Sequence, residues 1–375
     1  MSTTADYVLK HQPNDFIVRE VSRPPVEACG DYSYAELEKC GLTTLEALTL
    51  IASHLGIPEA DVSAAGLKDE DAVTRQTVSL RADYTEPFRI GLGPQTWLRV
   101  SAPVGRYDRH LEKGALLGND FWLVIRGLSA DAAERLWHRG GSRGQFRQYV
   151  VNYFDRQRFG IPGSNYRTAD VGFALLAGDV RRAAAVLHED TSEAVARGGL
   201  IPSEQARFIQ DVDAGMDSLA AFDRISSRLR LFFAASSLSR DWNLQTAQAV
   251  AATGHLLPLY DDGHPLAGCL GLTGPQALAS LPAGFPLQEP IALPRQDAPA
   301  MTMRATWRPT ITATKIFLID RGPDECFPGR HKLQVFFNLP SGSYATAAVH
   351  QMIAATMTTS PADRPTADAG AARAA

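Results

Sequence analysis

Four cysteines in 375 residues, at positions 29, 40, 269 and 326, form no Cys-x-x-Cys pair and have no paired histidines near them. That spacing supplies neither a disulfide framework nor a zinc site, so reduced structural thiols and no metal are expected. No apolar run approaches the length of a bilayer span, and the opening Met1-Ser2-Thr3-Thr4-Ala5-Asp6 lacks the basic and apolar regions of a signal peptide. The cytoplasm is the expected compartment, with no membrane partner. There is no Gly-x-Gly-x-x-Gly following a strand pattern and no Gly-x-x-x-x-Gly-Lys loop. Gly91-Leu92-Gly93-Pro94 is too short and too proline-bound to cradle phosphates, so no cofactor is expected. An excess of positive charge is missing too, the formal net charge being -4. A protein that grips many phosphates gains affinity from a basic surface through counterion release, and the whole-chain balance argues against one. The local exception is Arg139, Arg143, Arg147, Arg156, Arg158 and Arg167, in a stretch where Asp155 is the only acid. A basic face is possible there.

What is present is a chain 45% apolar, long enough to bury a large core and to divide into two lobes. Strand character is expected at 7–10 and 16–21, separated by His11-Gln12-Pro13-Asn14-Asp15, and again at 97–100, 121–126 and 332–337. Thr43 and Glu46 form a capping box ahead of Leu48, Ile51, Ala52 and Leu55 at helical spacing, with Gly56 as the stop. A second helix is expected over 131–139. From about 169 to 299 the composition turns to alanine-rich helix, with helices expected at 180–187, 203–213 and 219–242, followed by an extended connector through Pro282, Pro286, Pro290, Pro294 and Pro299. No period of 20 to 50 residues recurs, which excludes a solenoid or propeller. The last stretch, 358–375, has almost nothing to bury and is expected to be disordered.

Three segments carry chemistry. The first is Ala65-Gly66-Leu67-Lys68-Asp69-Glu70-Asp71-Ala72-Val73-Thr74-Arg75-Gln76, a small-residue turn presenting Asp69 among charged neighbours just before an alternating strand pattern. An aspartate kept ionised by a nearby cation can attack or stabilise an electron-poor carbon. On turn chemistry alone, the same stretch also reads as a solvated loop. The second, Val151-Asn152-Tyr153-Phe154-Asp155-Arg156-Gln157-Arg158-Phe159-Gly160, interleaves rings, guanidinium groups and amides. Rings stack on nucleobases, Arg meets phosphate, and Asn or Gln reads a polar base edge; a strand with Phe154 and Phe159 in the core is the competing reading. The third is Leu339-Pro340-Ser341-Gly342-Ser343-Tyr344-Ala345-Thr346, a turn with a helix start.

These segments resemble the TruD family of pseudouridine synthases. Residues 65–76 resemble its active-site motif, a Gly-x-Lys-Asp turn followed by Ala-Val-Thr-x-Gln, and Asn-Tyr-Phe-x-x-Gln-Arg-Phe-Gly at 152–160 resembles the motif that lines its uridine pocket. The 339–346 segment resembles one that packs beside the active site. Weaker similarities are Arg109-His110, Lys113 and Leu117-Gly118-Asn119-Asp120-Phe121. The resemblance implies an α+β fold: a pseudouridine-synthase-type catalytic domain with a mixed, largely antiparallel sheet over 1–168 and 300–357, plus an inserted, mainly helical TRUD-type domain over 169–299. It implies Asp69 as catalytic aspartate with Lys10 as its basic partner, and Asn152, Phe154, Gln157, Arg158 and Lys68 on the substrate side. In that assignment Phe154 stacks on uracil, Asn152 orients the aspartate or the substrate, and Lys68 faces solvent and touches phosphate.

The implied activity is isomerisation of uridine to pseudouridine in RNA, above all tRNA, without cofactor or metal. Departures from the family pattern fall at Gly30-Asp31-Tyr32, at Thr43-Thr44, around Ser239, Trp242 and Asn243, and at His350-Gln351. They put the RNA contacts rather than the chemistry in question. Two alternatives therefore stand beside the RNA reading: the same isomerisation on a free uridine nucleotide or RNA fragment for C-nucleoside biosynthesis, and a non-catalytic RNA-binding or RNA-chaperone protein. The lone histidines 54, 110, 138 and 350 receive no role.

Overall fold

A computed structural model describes residues 6–22, 29–112, 114–161, 163–199, 201–261, 264–294 and 300–358. Lys113 and the expected tail from 359 onward lie outside the described residues. The strands are β1 Phe16–Val21, β2 Tyr32–Cys40, β3 Val62–Ala64, β4 Val73–Leu80, β5 Phe88–Gly93, β6 Thr96–Val100, β7 Gly105–Tyr107, β8 Gly118–Leu128, β9 Gln145–Val151, β10 Leu256–Pro258, β11 Leu270–Leu272, β12 Gly284–Ala292, β13 Thr302–Pro309, β14 Ile311–Pro323 and β15 His331–Pro340. The helices are α1 Thr44–Leu55, α2 Ala130–Arg139, α3 Thr168–Leu176, α4 Val180–Ala196, α5 Ser203–Asp213, α6 Ser218–Asp223, α7 Ser227–Ala251 and α8 Ala345–Thr358. Thr358, placed in the tail on composition, closes α8, its hydroxyl donating to the Ala354 carbonyl.

The chain folds as two compact units. The first comprises residues up to 148, 313–345 and those from 352 onward; the second comprises 149–312 and 346–351. The segment expected as an insertion, 169–299, lies inside the second unit, which also takes in residues 149–168 and 300–312. Asn152, Phe154, Gln157 and Arg158 thus belong to the second unit, whereas Lys10, Lys68 and Asp69 belong to the first.

The first unit is built on a large mixed sheet in the order β5-β6-β2-β4-β1-β8-β15-β14-β9, with β3 added on β4 and β7 on β2. β1 and β4 run parallel while their other neighbours pair antiparallel, which is the mixed, largely antiparallel α+β arrangement expected. Alternation decides which face is buried: Ala35 and Leu37 of β2, Val78 and Leu80 of β4, and Leu98 and Val100 of β6 pack with Ala47, Ile51 and Ala52 of α1. The capping box forms as read, with Thr43 Oγ1 accepting from Glu46 N at 3.2 Å and Thr43 N donating to the Glu46 carboxylate at 2.8 Å. Gly56 ends the helix at φ 66°, a conformation that costs glycine nothing. Across the sheet, Arg126 of β8 is buried between Asp15, at 2.7 Å, and Asp324, at 3.0 Å.

Three expectations change. Residues 7–10 form no strand: Val8 makes only an isolated bridge to Arg126, because Lys10 turns left-handed at φ 58° and breaks the extended run. The helix expected over 219–242 is two, α6 and α7, divided where Ser226 begins a new N-cap on Leu229 N. The proline connector is a hairpin in part: β12 pairs with β13, placing Pro286 opposite Trp307 and Pro290 opposite Met303. A two-stranded ribbon leaves one side of each strand unpaired, so its prolines forfeit no ladder bond. The core of the second unit gathers Val171, Ala183, Ala184, Leu187, Phe208, Phe222 and Phe233 from α3 to α7. Gly172 is required there, since a Cβ would lie 1.9 Å from the Phe233 carbonyl oxygen.

Candidate active site

In the first unit, Lys10 Nζ lies 2.9 Å from Asp69 Oδ2. Lys10 is one of two non-glycine residues at positive φ among the described residues, a conformation that costs L-residues roughly 1 kcal/mol or more. Its ammonium also lies 4.5 Å above the Phe16 ring, so the backbone turn delivers the charge to a defined place. The Asp69 side chain remains 32% exposed, and Oδ1 has no hydrogen-bond partner among the described residues. One carboxylate oxygen is thus pinned and the other is open.

The turn that carries Asp69 is held by buried polar side chains. Lys39 Nζ donates to the carbonyls of Leu42 at 2.7 Å, Asp69 at 2.8 Å and Lys68 at 3.4 Å. Lys68 N donates to Thr44 Oγ1 at 2.8 Å, that hydroxyl donates to Gln76 Oε1 at 3.2 Å, and Gln76 Nε2 donates to the Gly66 carbonyl at 3.1 Å. Lys39 is fully buried, and burial pushes its ammonium down to about 8, against the opposing pull of Asp69 and Glu70. A lysine so placed trades solvation for three carbonyl acceptors. Sequence reading did not single out Lys39, although a signal existed: it shares the buried parity of Ala35 and Leu37, where a charged residue needs a reason.

Lys68 corrects an expectation. Instead of facing solvent to touch phosphate, it bonds Glu20 at 2.8 Å with the two side chains only 5% and 1% exposed. Its ammonium is fixed inside the unit by a carboxylate that the sequence places 48 residues away, so it is part of the support of the turn.

In the second unit the amide of Asn243 on α7 clasps the backbone of Phe154, accepting from its N at 2.9 Å and donating to its O at 2.9 Å. Ser239 Oγ accepts from Arg158 Nε at 3.1 Å, and Ser236 donates to the Arg158 carbonyl at 2.6 Å. The helix positions that depart from the family pattern therefore still hold the 152–158 segment. Arg308, which the sequence reading missed, donates to the Asn152 carbonyl from Nε at 2.9 Å and Nη2 at 2.6 Å, and its guanidinium lies 3.8 Å from the Phe154 ring centroid. Asn152 is buried, with Nδ2 donating to the Pro309 carbonyl at 3.2 Å, and Phe154 is buried too, edge-on to Trp242. Gln157 is exposed. Of the arginines in the basic stretch, Arg139 is interior, bonded to Met352 O, Thr356 and Gln148, and Arg167 pairs with Glu189 and Asp170, while Arg143, Arg147 and Arg156 are exposed. No group of three or more His, Cys, Asp or Glu is placed to hold a metal ion, and no helix is long and apolar enough to cross a membrane, among the described residues.

A carboxylate held on a braced turn, ion-paired on one oxygen and open on the other, sits in the segment that resembles a pseudouridine synthase motif. The family model for tRNA pseudouridine synthase D (TruD) matches residues 2–200, more than half of the chain. The chain belongs to the TruD family. A tRNA pseudouridine synthase D of Geobacter sulfurreducens is 39% identical over 189 residues, covering 50% of this chain and 44% of the relative. One of Geobacter metallireducens is 28% identical over 402 residues, covering 92% and 94%. The chain thus spans under half the length of some curated relatives it matches and nearly all of another. A solved structure from Methanosarcina mazei, assigned to tRNA pseudouridine synthase D, superposes with a TM-score of 0.56 at 21% identity, covering 93% of this chain and 94% of the other. That likeness shows a shared fold. The chain is accordingly a TruD-family protein with the family's α+β architecture.

Proposed function

We propose that this TruD-family protein is an isomerase that converts uridine to pseudouridine in RNA, with tRNA as substrate and Asp69 as the catalytic carboxylate. The observation that carries the reading is the Lys10–Asp69 pair, 2.9 Å long, on a turn fastened by Lys39, Thr44 and Gln76. The curated relatives that the chain matches are tRNA pseudouridine synthases D by name, which supports tRNA as the substrate.

In the reaction the bond from C1′ to N1 breaks, the base turns, and C5 bonds to C1′. The proton on C5 leaves and N1 takes one up, so nothing is oxidised or reduced. The Asp69 carboxylate serves the electron-poor carbon through its open oxygen, while Lys10 keeps the other oxygen in place. Lys68, buried against Glu20, supports the turn and is no longer assigned to phosphate. Asn152, Phe154, Gln157 and Arg158 are proposed as the uridine-holding segment. For Phe154 that role needs a ring face other than the one Arg308 covers. A base drawn from structured RNA must be flipped out at a cost of roughly a few kcal/mol, which stacking in a pocket offsets.

The test is tritium release from tRNA labelled at uridine C5. Wild-type protein releases label and Asp69→Asn does not; equal release from both would sink the assignment of Asp69. Turnover of a uridine nucleotide as fast as any RNA would move the substrate to the free nucleotide, and wild-type protein that binds tRNA without releasing label would leave an RNA-binding protein.

A further inference from the structure

Strand register aligns a row of arginines that are far apart in sequence. Arg19 of β1 lies beside Arg75 of β4, Arg75 is opposite Glu38 of β2, Glu38 is opposite Arg99 of β6, and Arg99 is opposite Arg89 of β5. Five adjacent strands thus carry one row of four arginines and one glutamate, spanning about 19 Å at the usual strand spacing. All four arginines are exposed, with side-chain exposures of 56% for Arg19, 45% for Arg75 and 58% for Arg99.

Glu38 is the keystone of the row. Its side chain is 9% exposed and accepts from Arg75 Nε at 2.8 Å and Arg99 Nε at 3.1 Å. Burial pushes its carboxyl up, but the hydrogen bonds from Arg99 and Arg75 outweigh that and hold it below the usual range. One buried carboxylate therefore fixes two guanidinium groups in place while their outer N–H groups face solvent. Arg89 is steadied separately, its guanidinium 5.6 Å over the Trp97 ring.

A merely solvated sheet face does not require this pattern. Like charges placed directly opposite on neighbouring strands are destabilising, and the row holds two such pairs, Arg19 with Arg75 and Arg89 with Arg99. Beyond Glu38, the row meets Glu36, 4.0 Å from Arg19, and Asp120 of β8, directly opposite Arg19, so four arginines stand against three carboxylates. A row with surplus positive charge in a chain of net charge -4 is matched by an external polyanion, whose phosphates would relieve the repulsion that the sheet carries alone.

We propose that the Arg19, Arg75, Arg99 and Arg89 row is a phosphate-backbone track for the RNA substrate, on the sheet face opposite the Asp69 turn. The side follows from alternation: Glu38 and Lys39 are consecutive on β2, so they point to opposite faces, and Lys39 is the residue that reaches the Asp69 carbonyl. The proposal rests on RNA being the substrate, and it deepens that reading. A track about 19 Å long on the far face of the sheet has no use for a mononucleotide.

The experiment measures filter retention of a tRNA transcript against KCl concentration for wild-type protein, for Arg19→Gln/Arg89→Gln and for Arg75→Gln/Arg99→Gln. The first double variant leaves Glu38 and its partners intact, so it stays informative even if the second, which strands Glu38, fails to fold. The expected result for Arg19→Gln/Arg89→Gln is about a tenfold loss of affinity at 0.15 M salt and a salt slope shallower by about 1.4 to 1.8. KM for tRNA rises with little change in kcat at saturating tRNA. Unchanged affinity and slope overturn the track, as would a variant that loses binding to phosphatidylserine vesicles but not to tRNA. Retention needs no turnover, so absence of tritium release from the wild-type protein counts against the Asp69 reading and is told apart from failure of the track.

Discussion

Replacing Lys39 by methionine tests the bracing of the Asp69 turn, proposed above as catalytic, because the side chain keeps its length and loses its donors. Two short hydrogen bonds vanish, to Leu42 O at 2.7 Å and Asp69 O at 2.8 Å, and a longer one to Lys68 O at 3.4 Å. Each buried carbonyl left without a donor costs about 1–3 kcal/mol. Against this stands the burden of keeping an ammonium in the interior: a shift from 10.5 to about 8 corresponds to about 3 kcal/mol, which methionine removes. Three stranded carbonyls come to about 3–9 kcal/mol, so the net loss of stability is about 0–6 kcal/mol. Activity has no such compensation. With its carbonyls released, the turn relaxes, and misplacement of a catalytic group by about 1 Å costs about a hundredfold in rate. The measurement is tritium release at saturating tRNA, with thermal melting alongside. The expected outcome is kcat down about a hundredfold with KM nearly unchanged and a fall in melting temperature, and Lys39→Gln, which still donates, recovers part of the loss. Wild-type kcat in Lys39→Met would refute the bracing argument, and so would a loss of rate that matches the unfolded fraction.

Other outcomes follow from the same geometry. Because the unfolded chain keeps the Lys39 proton between about pH 8 and 10.5 while the folded protein releases it, the stability of wild type relative to Lys39→Met should climb by about 3 kcal/mol as pH rises through that window, read from chemical denaturation; a flat difference would place the ammonium in contact with water. Lys68→Met leaves Glu20 charged and buried and should cost about 3–5 kcal/mol of stability, whereas a loss of tRNA affinity with no loss of stability would return Lys68 to phosphate. Arg126→Met strands Asp15 and Asp324 and should destabilise by a similar amount, about 3–5 kcal/mol, checked by melting. Phe154→Ala should cost roughly 1 to 3 kcal/mol in uridine binding if the ring stacks on the base, and an unchanged KM with lowered stability would make it a packing residue alone.

Local signals were legible in the sequence where the physics is local. The capping box at Thr43 and Glu46, the stop at Gly56 and the strand at 16–21 depend on neighbours within a turn or on alternation, and each forms at the expected place. The Asp69 turn was likewise readable, because the residues that announce it are contiguous. Non-local partners were not. Lys68 looked like a solvent-facing turn residue until the fold set Glu20 against it, and Lys39 became a brace only when β2 came to end beneath the turn. The 281–299 connector misled because proline was weighed without its partner strand, and β13 supplies that partner.

The sequence by itself carried the motif at Asp69 that resembles the TruD family's, and through that resemblance the expectation that Lys10 is its basic partner; the ion pair between them is seen in the fold. The tertiary structure decided which charges are buried supports and which are free to meet a ligand. It did so because register, set by the whole sheet, brings Arg19, Arg75, Arg99 and Arg89 into one row and turns Lys39 away from it, and no window of sequence contains that register.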